Sequence, residues 1–430
     1  MAHFWQAPAW QGLRSGRWLT AERIRVYSLI LLAFYAIAIV GWIALSGGLI
    51  DPNGKPIGTD FSSFYAAGSM VLDGHAADVY DMAAHYAREK QIFGAATPYY
   101  GWLYPPIFLF AVAPLALMPY SLALAVWQGA TFALYLAVIA AILRRIRRDD
   151  DSVARLWLSV AVAFPAAFIN LGHGQNGFLT AGLFGAALLN LQRRPLLAGV
   201  LFGLLAYKPQ FGVLIPFALL AGGQWRTFLA AGVTVMALAG AATLAFGPEI
   251  WHAFAASTET SRTLLLEQGN VGFEKLQSAF AAVRMWGGGI SLAYVVQAAA
   301  SVIALFGVAW AWHSTSHPTW RACSNRDLKA ALLIVATLLA SPHVLDYDLT
   351  TLAPAIAFIV ASRWRDGFRN YDVSVLAAAW FAPLFARAIA GATGVPLGLI
   401  AVAMLYILTM RHVMRDRSMP SLEASGIAQA

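Results

Sequence analysis

Four polar clusters interrupt a chain that is otherwise apolar, and each holds side chains able to move a proton or hold an anion. Asp60 follows the first apolar run, in Gly58-Thr59-Asp60-Phe61. A carboxylate beside a bilayer is partly desolvated, which raises its proton affinity and suits a general base. Asp is also a preferred N-cap for a helix opening at Phe61, and the two roles are compatible. His173, Gln175 and Asn176 share the segment Gly172-His173-Gly174-Gln175-Asn176. Its glycines let backbone approach a ligand, and an imidazole with two amides hydrogen-bonds sugar hydroxyls or phosphate; a plain polar turn is the alternative. Lys208, in Tyr207-Lys208-Pro209-Gln210, either snorkels to the interface or holds an anion. His343, Asp346 and Asp348 lie in Ser341-Pro342-His343-Val344-Leu345-Asp346-Tyr347-Asp348. The imidazole suits donation to a developing anion or a second acid/base role, while either aspartate suits a helix cap. One His and two Asp leave a divalent metal open, though the spacing is not diagnostic. Arg262 and Lys275 add positive charge for a phosphate, unless they are simply solvated.

The elements that must position these groups are membrane spans. The chain is 60% hydrophobic and 12% charged, with mean hydropathy +0.64. A hydrocarbon core roughly 30 Å thick takes about 20 helical residues to cross, and many of the apolar runs reach or approach that length. The net charge of +8 does not indicate nucleic acid, because the basic residues sit in short junctions beside apolar runs. With one cysteine, Cys323, no disulfide forms within the chain. The first run, Val26 to Ser46, is too long for a signal h-region of about 7–15 residues and is read as a retained anchor.

Crossings are expected at Val26 to Ser46, Ser121 to Leu143, Val153 to Asn170, Gly177 to Leu191, Leu196 to Tyr207, Phe211 to Gly222, Thr227 to Phe246, Ile290 to Trp312, Leu328 to Ala340, Tyr347 to Ala361, Val373 to Ala390 and Val395 to Met410. Pro105 to Met118 is expected to be a proline-flanked half-segment. The arginine-rich junctions, such as Arg144 to Arg148, Arg193–Arg194, Arg363–Arg365 and Arg411 to Arg417, then share one side with most of the 29 Lys and Arg residues. The positive-inside rule makes that side cytoplasmic, with residues 1–25 and 413–430 as inner tails around a transmembrane domain at 26–412. The four polar clusters and the long loops 47–104 and 247–289 face outward. In the first loop, Phe61, Phe64, Tyr65, Gly68, Val71 and Leu72 recur at helical spacing, as do Val79, Met82, Tyr86 and Phe93, which predicts two interfacial helices parted at Asp73–Gly74. No Walker, HExxH, G-x-S-x-G or CxxC motif occurs, so a donor substrate is expected through the lipid rather than as a nucleotide sugar. A transporter or lipid-carrier flippase would favour ionisable residues at mid-span and paired broken helices; here the ionisable groups gather at outer junctions. A structural subunit of an envelope complex is a third reading, in which Asp60 matters only for folding.

The order of motifs resembles glycosyltransferase family 87. DFSSFYAAGSMVLDGHAADVYD, from Asp60 to Asp81, is similar to that family's first-loop signature. Tyr104-Pro105-Pro106, Gly174-Gln175-Asn176, Leu205-Ala206-Tyr207-Lys208-Pro209 and the Ser341–Asp348 segment follow in the family's order. The resemblance implies an all-α polytopic GT-C membrane bundle of about 12 helices in a bacterial inner membrane. It implies transfer of a hexose, typically mannose, from a polyprenyl-phosphate donor to a glycolipid or glycan at the outer face, with inversion. Asp60 would then be the base, and Lys208, His343 and Arg262 would bind the donor phosphate. His173, Gln175, Asn176, Tyr104 and Asp346 would contact substrate. No cofactor is expected, the partners are the two substrates and membrane lipids, no nucleic acid is involved, and a monomer suffices.

Overall fold

The computed structural model describes residues 8–146, 151–313 and 323–418, and it is all-helical. Among these residues no extended strand forms; three isolated bridges join Gly47 to Ile50, Ile50 to Pro56 and Leu276 to Leu345. Arg147, Arg148 and residues 1–7 and 419–430 of the expected tails lie outside the described residues.

Among the described residues six helices are long and apolar enough to cross a membrane: Ala21–Leu45, Tyr120–Leu143, Trp225–Phe246, Ile290–Trp312, Asp372–Thr393 and Leu397–Asp416. In Trp225–Phe246 only Thr227 and Ala242 are buried, while Leu229, Val233, Met236 and Leu244 stand exposed. Water would not tolerate so continuous an apolar face, and lipid requires it because only a helix satisfies its own backbone there. Small residues bring neighbours close. A Cβ at Gly199 would lie 2.5 Å from Ala230 Cβ, and one at Gly203 would lie 2.5 Å from Thr234 Cβ. The Gly199–Gly203 spacing thus seats Pro195–Leu204 against Trp225–Phe246, as small-residue pairs do between helices in lipid.

The remaining expected crossings fall on shorter pieces. Gly177–Asn190 has 14 residues and Pro195–Leu204 has 10. The run drawn from Phe211 to Gly222 divides into Pro209–Gly212 and Leu214–Ala221. The run drawn through Asn170 breaks into Leu156–Val162 and Pro165–His173, bent by 43°. Pro165 is the cause: it holds Phe164 at φ −60°, ψ 122° and supplies no N–H to continue the ladder. Residues 106–117 fold as short turns, Pro106–Phe108, Leu109–Val112 and Pro114–Leu117, the half-length segment that the proline flanks predict.

The first loop departs from two amphipathic helices. Phe61–Leu72 forms, but it buries Ser62 and Ser63 along with Phe61, Phe64 and Ala67, and leaves Leu72 exposed. Met82–Phe93 buries His85, Glu89 and Phe93, while Met82 is exposed. Its inward stripe is therefore polar at two of three positions, which apolar periodicity cannot register. The arginine-rich end is also more ordered than solvated loops would be. Arg363 is fully buried, with Nη2 3.0 Å from Asp366 and 3.3 Å from Asp416, and Arg145 Nη1 lies 2.6 Å from Asp327.

Candidate active site

The turn after Pro165–His173 fixes Asp60. Gly174 has φ +64°, and a Cβ there would meet Phe61 Cβ at 2.6 Å, so only glycine lets the two segments touch. The Asp60 amide donates to His173 O at 3.0 Å. Asn170 braces the turn, donating through Nδ2 to Gln175 O at 3.1 Å and accepting from Gly177 N at 2.8 Å. Asp60 occupies the N-cap position of Phe61–Leu72, yet it has helical backbone angles and its side chain makes no capping bond. Instead Gln175 Nε2 donates to Asp60 Oδ2 at 3.0 Å, and His173 Nδ1 lies 3.8 Å from Oδ1. The same His173 nitrogen is 2.8 Å from the Thr59 hydroxyl. The Tyr104 hydroxyl donates to Gln175 Oε1 at 3.1 Å, which orients the amide toward the carboxylate.

Asp60, Gln175, Lys208, His343, Tyr104 and Tyr347 line one cavity of about 1020 Å³. Residues 77–82 and 99–104 of the first loop and residues between Glu249 and Val271 of the second complete its walls. An aromatic cluster supports the floor: Phe64 meets Tyr104 at 5.3 Å and Trp127 at 5.8 Å between ring centres, and Phe108 stacks on Tyr207 at 4.7 Å.

Lys208 is buried, and its ammonium donates to Asp348 Oδ1 at 2.5 Å and Asn176 Oδ1 at 2.8 Å. Asp348 also accepts from Leu345 N at 3.0 Å, so it both pairs the lysine and shapes the loop after His343. Burial lowers the proton affinity of His343, leaving a neutral imidazole with one N–H to give. Asp346 sits between Leu345 and Tyr347 without lining the cavity; its Oδ1 accepts from Tyr347 N at 2.9 Å, and burial raises its pKa. His173 and Asn176 reach the cavity through Asp60, Gln175 and Lys208 rather than lining it. Arg262 is not brought in: it is absent from the cavity wall, and its guanidinium is held by Glu259 at 2.5 Å and Glu267 at 2.6 Å. Among the described residues no three His, Cys, Asp or Glu side chains are grouped to hold a metal ion.

Sequence reading passes over His85 and Glu89. Glu89 Oε2 accepts from Tyr100 N at 3.0 Å, just behind the cavity wall, while Oε1 is buried without a partner. Burial, with a smaller push from Asp60, raises its pKa from 4.5 to about 8. Burial likewise pulls His85 down to about 4. An acid that holds its proton more tightly when folded loses stability as pH climbs from its unfolded pKa to its folded one. Below about pH 6.5 the buried neutral His85 offsets this loss, so the unfolding temperature of the native protein is expected to fall between about pH 6.5 and about pH 8, a decline that Glu89→Gln should remove. Equal slopes in both proteins would contradict a neutral Glu89.

Helices long and apolar enough to cross a membrane, and a large cavity whose mainly apolar wall carries carboxylate, amide, imidazole and phenol groups, define a membrane protein with a substantial internal cavity. Residues 102–342, more than half of the chain, match the model of Glycosyltransferase family 87. The chain belongs to that family and is a membrane glycosyltransferase. No curated protein and no solved structure matches it.

Proposed function

We propose that the protein transfers a hexose, mannose above all, from a polyprenyl-phosphate donor to a glycolipid or glycan acceptor, with inversion. One observation carries this reading: Asp60 stands at its helix's N-cap position without capping it, and is held by Gln175 on the wall of the cavity that His343 and Lys208 share. Asp60 takes the proton of the acceptor hydroxyl as its oxygen attacks the anomeric carbon. The bond from that carbon to the phosphate oxygen breaks, and the electron pair leaves on the phosphate. His343, a neutral donor, and the remaining N–H of Lys208 stabilise that oxyanion; preorganised donors of this kind supply much of the rate enhancement in such sites. Gln175 and His173 set the carboxylate's orientation, and Tyr104 sets that of Gln175. Asn176 and Asp348 hold Lys208. Asp346 contributes to substrate binding from behind the cavity wall, through the loop that carries His343 and Tyr347. Arg262 is left out of this scheme, because two carboxylates already occupy it.

With the shorter apolar helices counted, the bundle reaches about 12 crossings of the GT-C type, with domain limits at 26–412 and the segments of residues 61–93 near the outer interface. The arginine-rich junctions support a cytoplasmic placement of both termini and an outer site in a bacterial inner membrane. A monomer in contact with lipid, donor and acceptor is sufficient. The test is incubation of the purified protein with radiolabelled polyprenyl-phosphate mannose and a lipid extract of its host. Label is expected in a glycolipid or glycan. Label that enters only from a nucleotide sugar overturns the donor assignment.

A further inference from the structure

Most cations near the cavity and its loops already have a partner. Arg88 pairs with Asp73 at 2.7 Å, Lys208 with Asp348, Arg262 with two glutamates, and Arg284 donates to Gly288 O at 2.8 Å and Glu267 O at 3.0 Å. Lys90 lies over the Tyr86 ring, 3.9 Å from its centre. Lys275 and Arg387 differ: among the described residues neither side chain makes a hydrogen bond or an ion pair. Their positions are fixed by backbone. Leu276 bridges Leu345 in antiparallel register, and Gln277 N donates to Val344 O at 2.7 Å. Lys275 ends the turn just before this bridge and Asp346 opens the turn just after it, so the bridge brings the two turns side by side. The neighbouring Glu274 lies against Asp372–Thr393, its Cγ 3.8 Å from where a Cβ would stand on Gly391. Arg387 is one helical turn back on the same face.

The two charges feel each other. Burial first, and then Arg387, lower the proton affinity of Lys275, while Asp346, Asp60 and Glu274 oppose the shift. His173 and Arg387 act in turn on Asp346. Lys275, Arg387 and Asp346 do not line the large cavity, whereas Leu345, Tyr347 and Asp60 do. Asp60 therefore has the cavity on one side and Lys275 within electrostatic reach, and among the described residues neither Lys275 nor Arg387 has a carboxylate in direct ion-pair contact. Two like charges held near each other with no carboxylate in direct contact leave hydrogen-bond donors that a bound anion would take up, and a guanidinium fork matches two phosphate oxygens. Exposed Phe385 and Val395 offer apolar surface near the pair, at the end of a helix long enough to span the bilayer.

We propose that Lys275 and Arg387 form an anion station that takes the phosphate of a lipid-borne substrate beside Asp60. The assignment rests on the lipid-phosphate chemistry argued under Proposed function, and its test needs no sugar transfer. Full-length protein in phosphatidylcholine nanodiscs is titrated with a long-chain polyprenyl phosphate that carries no sugar, and in separate arms with phosphatidylglycerol and inorganic phosphate. Losing one charge-assisted contact weakens binding about tenfold. Lys275→Gln and Arg387→Gln are each expected to show that loss for the lipid phosphates, and the double variant a larger one. Arg387→Lys should lie between, since it keeps the charge and removes the fork; it also serves if the double variant unfolds early.

Preference for polyprenyl phosphate assigns the station to the donor, and equal binding of phosphatidylglycerol assigns it to lipid phosphates in general. Inorganic phosphate bound as tightly as either lipid would overturn the lipid-borne assignment, and native affinity in every variant would overturn the station. If the variants lose lipid-phosphate binding and no transfer from a polyprenyl-phosphate sugar is ever found, the station stands and the reaction falls. If transfer proceeds in the double variant with native KM for donor and acceptor alike, the reaction stands and the station falls.

Discussion

Asp60→Asn is expected to cut sugar transfer about 10²- to 10⁴-fold, the range over which a positioned general base contributes. The substitution preserves shape. An asparagine oxygen can still accept from Gln175 Nε2, and the amide of residue 60 still donates to His173 O. What is lost is the proton acceptor. Because the side chain makes no capping bond, the helix that starts at Phe61 gives up nothing, and the variant should insert, purify and unfold like the native protein. Turnover near the native rate would remove Asp60 from the mechanism. A loss of stability alongside activity would return it to a structural role.

Lys208→Ala is expected to be the most destabilising single change at the site. It strands Asp348, which is fully buried, and leaves Asn176 Oδ1 without its donor. Breaking a buried ion pair from one side costs about 3–5 kcal/mol, because the remaining charge has no solvent to retreat to. The double change Lys208→Met with Asp348→Asn removes both charges and keeps an acceptor for Leu345 N, so most of that stability should return. Transfer should not return with it. With fold restored, the KM for donor is expected to rise more than that for acceptor, because the lysine N–H is assigned to the donor phosphate. Equal effects on both substrates would confine Lys208 to neutralising Asp348.

The groups of the candidate site could be picked out of the chain because each has a recognisable local setting, although they meet across long separations, Gln175 standing 115 positions from Asp60. Asp60 directly follows a span, and the Gly172–Asn176 turn contains the glycine that allows contact with Phe61. Those features survive translation into one dimension. The outcome at Lys208 does not: by sequence it suits snorkelling or anion binding alike, and the structure gives a buried pair with a residue 140 positions away. Arg262 was a fair candidate by charge alone, yet it found carboxylates three and five residues off, and local pairing took it from the cavity. His85 and Glu89 were hidden for another reason. Periodicity counts apolar residues, so a buried stripe carrying an imidazole and a carboxyl reads as the polar face of the same helix.

The fold shows the same division. Ile290–Trp312 forms where hydropathy draws it, because a long uninterrupted apolar run has one stable answer in lipid. The run through Phe164-Pro165 breaks because a single proline outweighs the hydropathy around it. Of the short helices near the site, Gly177–Asn190 starts from the turn that carries Asn176, and Pro195–Leu204 leads through Leu205–Tyr207 to Lys208. Irregular backbone at such depth is tolerated where it lines a cavity, so the segments least regular in sequence are those that build the chamber.

The claim that everything else serves is a single displacement, driven by one base, at the anomeric carbon of a lipid-phosphate sugar. It is tested by determining the anomeric configuration of the glycosidic bond made by the purified protein from a donor of known configuration. A product of opposite configuration is expected. A product that keeps the donor's configuration would mean two displacements and a covalent intermediate, which contradicts Asp60 acting as base.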